Sequence, residues 1–236
     1  MIQNYEDFTE ALLHAGFSMA GGSADGIYAI INWIWNEPPP YPTPIAWHTG
    51  DQATDPWQWR MRVLNERSDI AYAKIFNKKS GFVTETWYPY FLAARRKASS
   101  GHIKSFEEAH AAGEISHDAK RLYQTLTGLG ILPSDALKAE AGYNRESKSA
   151  FDRALTELQM KMYITMCGCQ QKFTKKGEEY GMPATVFCST ENFFGSGVFE
   201  EAARLSRDEA VEAIMQQVLM LNPNAEEKKI AKFIFG

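Results

Sequence analysis

The chain has 236 residues, 44% hydrophobic and 13% aromatic, with a formal net charge of −4. That is enough apolar material for a packed core, and the acidic balance excludes a protein whose whole surface attracts nucleic acid, so such binding needs a local basic patch. No run approaches the roughly 18 apolar residues of a membrane span, and MIQNYEDFTEALLHAG lacks the basic-then-apolar order of a signal peptide. The expectation is a cytoplasmic chain with no membrane association. Cys167, Cys169 and Cys188 are odd in number, which argues against a disulfide framework and for a reducing compartment.

In chain order, a first helix is expected from about Tyr5 to His14, with Phe8, Leu12 and Leu13 on one side and a stop before Gly16. MAGGSADG, residues 19–26, reads as a loop. IYAIINWIWN, residues 27–36, fits a buried strand or a short buried helix equally well. NEPPPYPTP, residues 36–44, carries five prolines and is an extended connector. DPWQWRMRV, residues 55–63, alternates apolar and polar side chains and predicts a β-strand. Trp57, Trp59, Met61 and Val63 then share one face. Gln58, Arg60 and Arg62 share the other, either as solvated surface or as the wall of a cleft that holds an anion or a base.

Ile70 to Phe76 reads as helical, KKSG as a turn, and Thr84 to Arg96 as a second helix with Pro89 in its first turns. Ser105 with Glu108 forms a capping-box pattern after the candidate boundary ASSGHIK. From Ser116 onward the signals agree. A helix striped by Ala119, Leu122, Tyr123 and Leu126 ends at Gly128 or Gly130, a short extended piece leads into a helix from Ser134 to Ala141, and a longer helix follows in RESKSAFDRALTELQMK. MYITMCGCQQKFTKKG, residues 162–177, reads as two short strands joined near Gly168. Two more capping patterns, Ser206 with Glu209 and Asn224 with Glu227, open C-terminal helices.

Helix, short strand, short helix, glycine turn, longer helix and hairpin make up the order of a winged helix-turn-helix. The fold class expected is therefore mainly α with small β-hairpins (α+β). An N-terminal part spans residues 1–100, a winged-helix domain residues 101–195, and residues 196–236 form helices that pack on the body.

With Phe151, Leu155 and Leu158 inward, the candidate recognition helix turns Arg145, Lys148, Ser149 and Arg153 outward. The three cations suit phosphates and Ser149 suits a base edge, although Asp152 and Glu157 oppose a nucleic-acid backbone. Lys172, Lys175 and Lys176 lie on or after the wing and are better placed for phosphates. The alternatives are solvated surface, or a winged helix that binds protein. Cys167 and Cys169 make a C-x-C, but no histidine lies in the hairpin and zinc normally takes four ligands at recognisable spacing, so no metal is expected. No phosphate-binding glycine loop or G-x-S-x-G is present, so no cofactor is expected either.

ISHDAKRLYQTLTGLGILPSDALKAEAG, followed by FDRALTELQMKMYITMCG, resembles the AlkZ-related proteins of a winged-helix superfamily that includes bacterial DNA glycosylases acting on alkylated and crosslinked bases. The W-x-W-R piece at Trp57 to Arg60 and AYAKIFNKKSGFVTETWYPYF look like the companion segment upstream, so the likeness spans roughly residues 55 to 195. It implies a fold and a partnership with DNA, in particular damaged duplex. The active glycosylases carry a glutamine-x-glutamine motif, and this sequence has no Q-x-Q, so no catalytic residue is transferred. The reading is a winged-helix DNA-binding protein without that motif. Its rivals are a glycosylase using another residue, such as a carboxylate near the cleft, and a non-catalytic protein-interaction module.

Overall fold

The structure is a computed structural model that describes residues 1–21, 26–174 and 176–236. Its N-terminal part comprises α1 (Tyr5–Ala15), β1 (Phe17–Met19), α2 (Pro56–Glu66), β2 (Ile70–Phe76), β3 (Lys79–Thr84) and α3 (Tyr88–Arg96). The middle comprises α4 (Phe106–Ala111), α5 (His117–Leu129), β4 (Leu132–Pro133), α6 (Ser134–Glu140), α7 (Lys148–Met160), β5 (Ile164–Gln170) and β6 (Ala184–Ser189). α8 (Thr190–Phe194), α9 (Gly197–Arg204), α10 (Arg207–Leu221) and α11 (Glu227–Phe235) complete the described elements. The α+β class is as expected, and α5, β4, α6, α7, β5 and β6 follow one another in the anticipated order.

The strands form one sheet in the order β1-β3-β2-β5-β6-β4, antiparallel throughout. The β2–β5 pairing, through Tyr72 opposite Met166, joins the N-terminal strands to the later ladder without a break. Tyr72 and Phe82 belong to a core shared with α1, α2, α5 and α7, whereas Ala71, Ala73, Ile75 and Val83 belong to a second core under α3, α10 and α11. Successive side chains of a strand leave opposite faces, so a sheet with helices on both sides needs apolar residues at both parities. That is why IAYAKIF reads as a continuous apolar run.

Several local expectations are overturned. Residues 56–66 are helical, not a strand, because Asp55 caps the segment and Pro56 occupies the first turn, where its missing N–H is no loss. Pro56, Trp59 and Val63 then share the buried face at helical spacing. Residues 70–76 are a strand, not a helix. Asn77 and Lys78 both take positive φ (47° and 66°), the backbone of a two-residue hairpin turn, so β3 already begins at Lys79 and the turn is not KKSG.

Residues 27–36 form neither strand nor helix. They form an irregular segment of bends and turns with Ile27, Ala29, Ile31 and Trp33 buried, tied to β1 by the Met19 N–H on the Tyr28 carbonyl (3.0 Å) and the Ile30 N–H on Ser18 Oγ (3.0 Å). The proline-rich connector, expected to be extended, is a series of bends without helix or strand, and Thr43 Oγ1 fastens it to the Ile2 carbonyl (3.0 Å).

Gly168 is not a turn. The register shifts between Met166 and Gly168, so the glycine lies within a bulge of β5, and the strand returns only at Ala184. Both serine capping boxes form, at Ser105/Glu108 and Ser206/Glu209. The Asn224/Glu227 pattern does not, because the Asn224 N–H is already bonded to Asn222 Oδ1 (3.1 Å) and Glu226 is the cap residue. α7 starts at Lys148 because Asn144 Oδ1 accepts the N–H groups of Glu146 and Ser147 (2.9 and 3.0 Å), a local turn that competes with the helix.

Candidate functional site

The site grows from Asp55. Its side chain is fully buried and accepts three backbone N–H groups, from His48 (3.1 Å), Gly50 (3.0 Å) and Trp57 (2.8 Å). One carboxylate therefore caps α2 and folds the preceding loop onto it. Asp51 stitches the same loop from within, accepting the Ala53 N–H (2.9 Å) and the Thr54 hydroxyl (2.8 Å), and these bonds hold its carboxyl below the usual range. His48 sits at φ 59°, a left-handed conformation that this bonding enforces.

The loop and helix wall a cavity of about 310 Å³ together with Trp35, Trp47, His48, Trp57, Tyr72 and the backbone at Gly21. The His48 ring lies 5.3 Å from Trp57 and 6.2 Å from Trp47. Gly21 is at φ 118°, and a Cβ there would lie 2.5 Å from the Trp47 ring, so the indole needs that close backbone approach.

Arg60 supplies the charge. Its guanidinium carbon lies 3.7 Å above the Trp57 ring and 5.8 Å from the Tyr72 ring. Among the described residues Nη2 meets only the weak acceptor Met61 Sδ (3.6 Å), and Arg60 Nε and Trp47 Nε1 are buried without an acceptor. Buried donors left unmatched cost on the order of 1–3 kcal/mol each unless something accepts from them. Among the described residues no carboxylate lines this cavity. The arrangement suits a flat, π-rich ligand carrying acceptor atoms.

The anticipated row of Gln58, Arg60 and Arg62 does not exist, since helical spacing sends these residues in different directions. Trp57 and Arg60 reach the cavity, and Trp59 is fully buried in the core instead. Arg62 stacks on Tyr5 (3.7 Å) and pairs with Glu66 (3.1 Å), and Gln58 is half-buried outside the cavity lining. Sequence reasoning missed Trp35, Trp47, His48 and Tyr72. The available signal was the D-x-x-T-D-P run at Asp51 to Pro56, a concentration of turn and cap residues.

The anticipated nucleic-acid residues are dispersed. Arg145 is exposed in the turn before α7, Lys148 and Ser149 are exposed in its first turn, and Arg153 is exposed beside a groove with Lys74, Lys78 and Lys161. Lys172 is half-buried beyond β5, close to Asp135 and Tyr180, and Lys176 is exposed. Lys175 lies outside the described residues. The segment between β5 and β6 also exposes Phe173, Tyr180 and Met182, by 57%, 51% and 76%, so this tip is apolar as well as basic.

All three cysteines are free thiols, and the hydrogen bond to Cys167 together with burial pushes the Cys188 thiol up. Among the described residues no group of three or more His, Cys, Asp or Glu side chains could hold a metal ion, and no helix is long and apolar enough to cross a membrane.

Comparison with known proteins agrees with the resemblance and widens it. The family model described as AlkZ related matches residues 2–235. Among solved structures the chain is similar to the Streptomyces sahachiroi DNA glycosylase AlkZ, at 12% identity and a TM-score of 0.41, over 76% of this chain and 50% of that one. The chain thus spans about half the length of that glycosylase. No curated protein matches it. With the family match running from Ile2 to Phe235, the chain belongs to the AlkZ-related family.

Proposed function

We propose that this protein binds DNA through the α5–β6 segment used as a winged helix, and takes an unstacked base into the Trp47/Trp57/Arg60 cavity. The observation that carries the reading is the Arg60 guanidinium stacked on Trp57 in an aromatic-walled cavity with no carboxylate among its described lining residues. A nucleobase offers a π-face for the indoles and ring nitrogens or carbonyl oxygens as acceptors for a guanidinium. Membership of the AlkZ-related family supports DNA as the source of that base.

In this reading the exposed N-terminal turn of α7, with Lys148 and Ser149, approaches a groove, and the β5–β6 connection with Lys172, Lys175 and Lys176 follows the phosphates. Phe173, Tyr180 and Met182 supply apolar wedges of the kind that unstack a base step. Damaged duplex is the preferred partner, because a mismatched or alkylated base costs less to extrude. The sequence has no Q-x-Q, and the cavity chemistry favours recognition over hydrolysis. The setting is cytoplasmic.

The test is anisotropy of a labelled duplex, plain and alkylated, at low and moderate salt. Expected are steep salt dependence, weakened when Lys172, Lys175 and Lys176 are neutralised, and a preference for the alkylated duplex that Trp57→Ala removes. Absence of binding at low salt overturns the reading in favour of an interaction module. Free base released from the alkylated duplex would replace it with a glycosylase that uses other residues.

A further inference from the structure

Although the chain as a whole is acidic, Arg95, Arg96, Lys104, Lys161 and Arg207 all line one recess of about 190 Å³ between α3, α7 and the C-terminal helices. That volume holds roughly six waters. Glu114 is the one carboxylate among the described lining residues, and Lys104 Nζ already engages it.

The two arginines have most of their N–H groups satisfied by backbone carbonyls, which do not neutralise them. Arg95 donates to the carbonyls of Ile75 (2.9 Å), Met160 (2.8 Å), Phe233 (2.8 Å) and Ile234. Arg96 donates to the carbonyls of Lys104 (3.0 Å) and Met162 (3.1 Å), and its ion-pair partner Glu191 is distant at 3.9 Å. Carbonyl dipoles satisfy donors but carry no compensating charge. Burial pushes Arg95 down, to about 9, so it is still a cation at neutral pH. Among the described residues the Lys161 side chain has no ion pair, and the Arg207 guanidinium lies 5.4 Å over the Phe235 ring.

We propose that this recess is a binding site for a phosphate group. Arg95 and Arg96 supply fixed, preorganised charge at its back, and Lys161, Lys104 and Arg207 supply donors that can turn toward an oxyanion from the rim. A tetrahedral phosphate accepts several charge-assisted hydrogen bonds at once and relieves the mutual repulsion of the cations. The recess shares Met160, Lys161 and Phe235 with a larger groove of about 630 Å³ that carries Lys74, Lys78 and Arg153 against the carboxylates of Asp152 and Glu157, the latter held by Ser116. The phosphate comes either from a nucleic-acid backbone laid along this groove or from a free phosphate or mononucleotide.

The experiment begins with thermal unfolding of the full chain in inorganic phosphate against chloride at matched ionic strength, for wild type and the double variant Lys161→Met, Arg207→Gln. Among the described residues neither side chain hydrogen-bonds to the backbone, and the melt without phosphate reports directly whether the variant keeps the fold. Expected is a saturable rise of about 3–6 °C for wild type. The double variant loses the rise and, with less internal repulsion, melts no lower than wild type without phosphate. Equal rises in both proteins, or no phosphate-specific rise in wild type, overturn the proposal.

The second arm is duplex anisotropy. If a DNA backbone is the source, the double variant binds duplex more weakly, its salt slope falls by about 1 to 2, and inorganic phosphate competes. If the source is a free phosphate, duplex binding is unchanged while the thermal effect is lost. The phosphate arm contains no DNA, so its outcome stands apart from that of the DNA-binding reading.

Discussion

The Arg60 guanidinium lies 3.7 Å above the Trp57 ring, three residues away on the same side of α2, and its Nε finds no acceptor among the described residues. Such a stack orients a planar cation without neutralising it, which a lysine ammonium does not reproduce. Arg60→Lys should therefore keep the fold and the charge yet lose about 5- to 30-fold in affinity for the alkylated duplex, with plain duplex little affected. Titrations of the two duplexes against wild type and variant check this. Equal losses on both would make Arg60 a general phosphate contact.

Asp55 sets up that stack from below. Replacing an N-cap acid by alanine costs about 0.5–2 kcal/mol in ordinary helices. Here the same carboxylate is fully buried and also holds His48 N–H and Gly50 N–H, so Asp55→Ala should cost more, about 3 kcal/mol. Denaturant unfolding gives the size of the loss. Hydrogen exchange should show faster exchange concentrated in residues 46–58, and a uniform change over the whole chain would contradict a local role for Asp55.

What the sequence revealed, and what it hid, follows from the same residues. Elements marked by caps and glycines were legible, as at the two serine boxes and Gly16, because those signals are local and chemical. Elements judged by periodicity alone were not. Seven residues of alternation from Trp57 to Val63 satisfy a strand, yet placing Trp59 and Val63 on one face also satisfies a helix, and the Asp55–Pro56 cap decides between them. IAYAKIF misled in the opposite direction, because a strand covered on both faces loses its alternation. The cavity was half visible. Trp57 and Arg60 were singled out for the wrong geometry, while Trp47, His48 and Tyr72 reach it only through a loop fold and a sheet pairing that span distant positions.

Acid should act on the capping boxes. The backbone N–H of Ser105, then His102, lowers the Glu108 carboxyl, and the backbone N–H and hydroxyl of Ser206 lower that of Glu209. A depressed carboxyl contributes stability that is complete above its unfolded value and is lost as pH falls through its folded value. The contribution of both groups is thus fully present at neutral pH and fades below about pH 4.5. Glu108→Gln with Glu209→Gln should lower the melting temperature at pH 7 and leave it less dependent on pH between 5 and 3. Parallel melting curves for wild type and variant across that range would assign the acid sensitivity elsewhere.

Arg95 ties the last helix to the body, since it donates to the carbonyls of Phe233 and Ile234 at the end of α11 as well as to Ile75 in β2 and Met160 in α7. Helix C-terminal carbonyls are otherwise unpaired, and a cation there satisfies both their acceptors and the helix dipole. Lysine keeps the charge but offers three donors from one point, which cannot span carbonyls on three separate elements. Arg95→Lys should therefore cost about 2–4 kcal/mol, and most of it should appear as undocking of α11. Hydrogen exchange over residues 227–235 should rise toward that of a free helix while β2 and β3 stay protected. If protection in the sheet collapses together with α11, the arginine is holding the second core as a whole and the helix is not a separable unit.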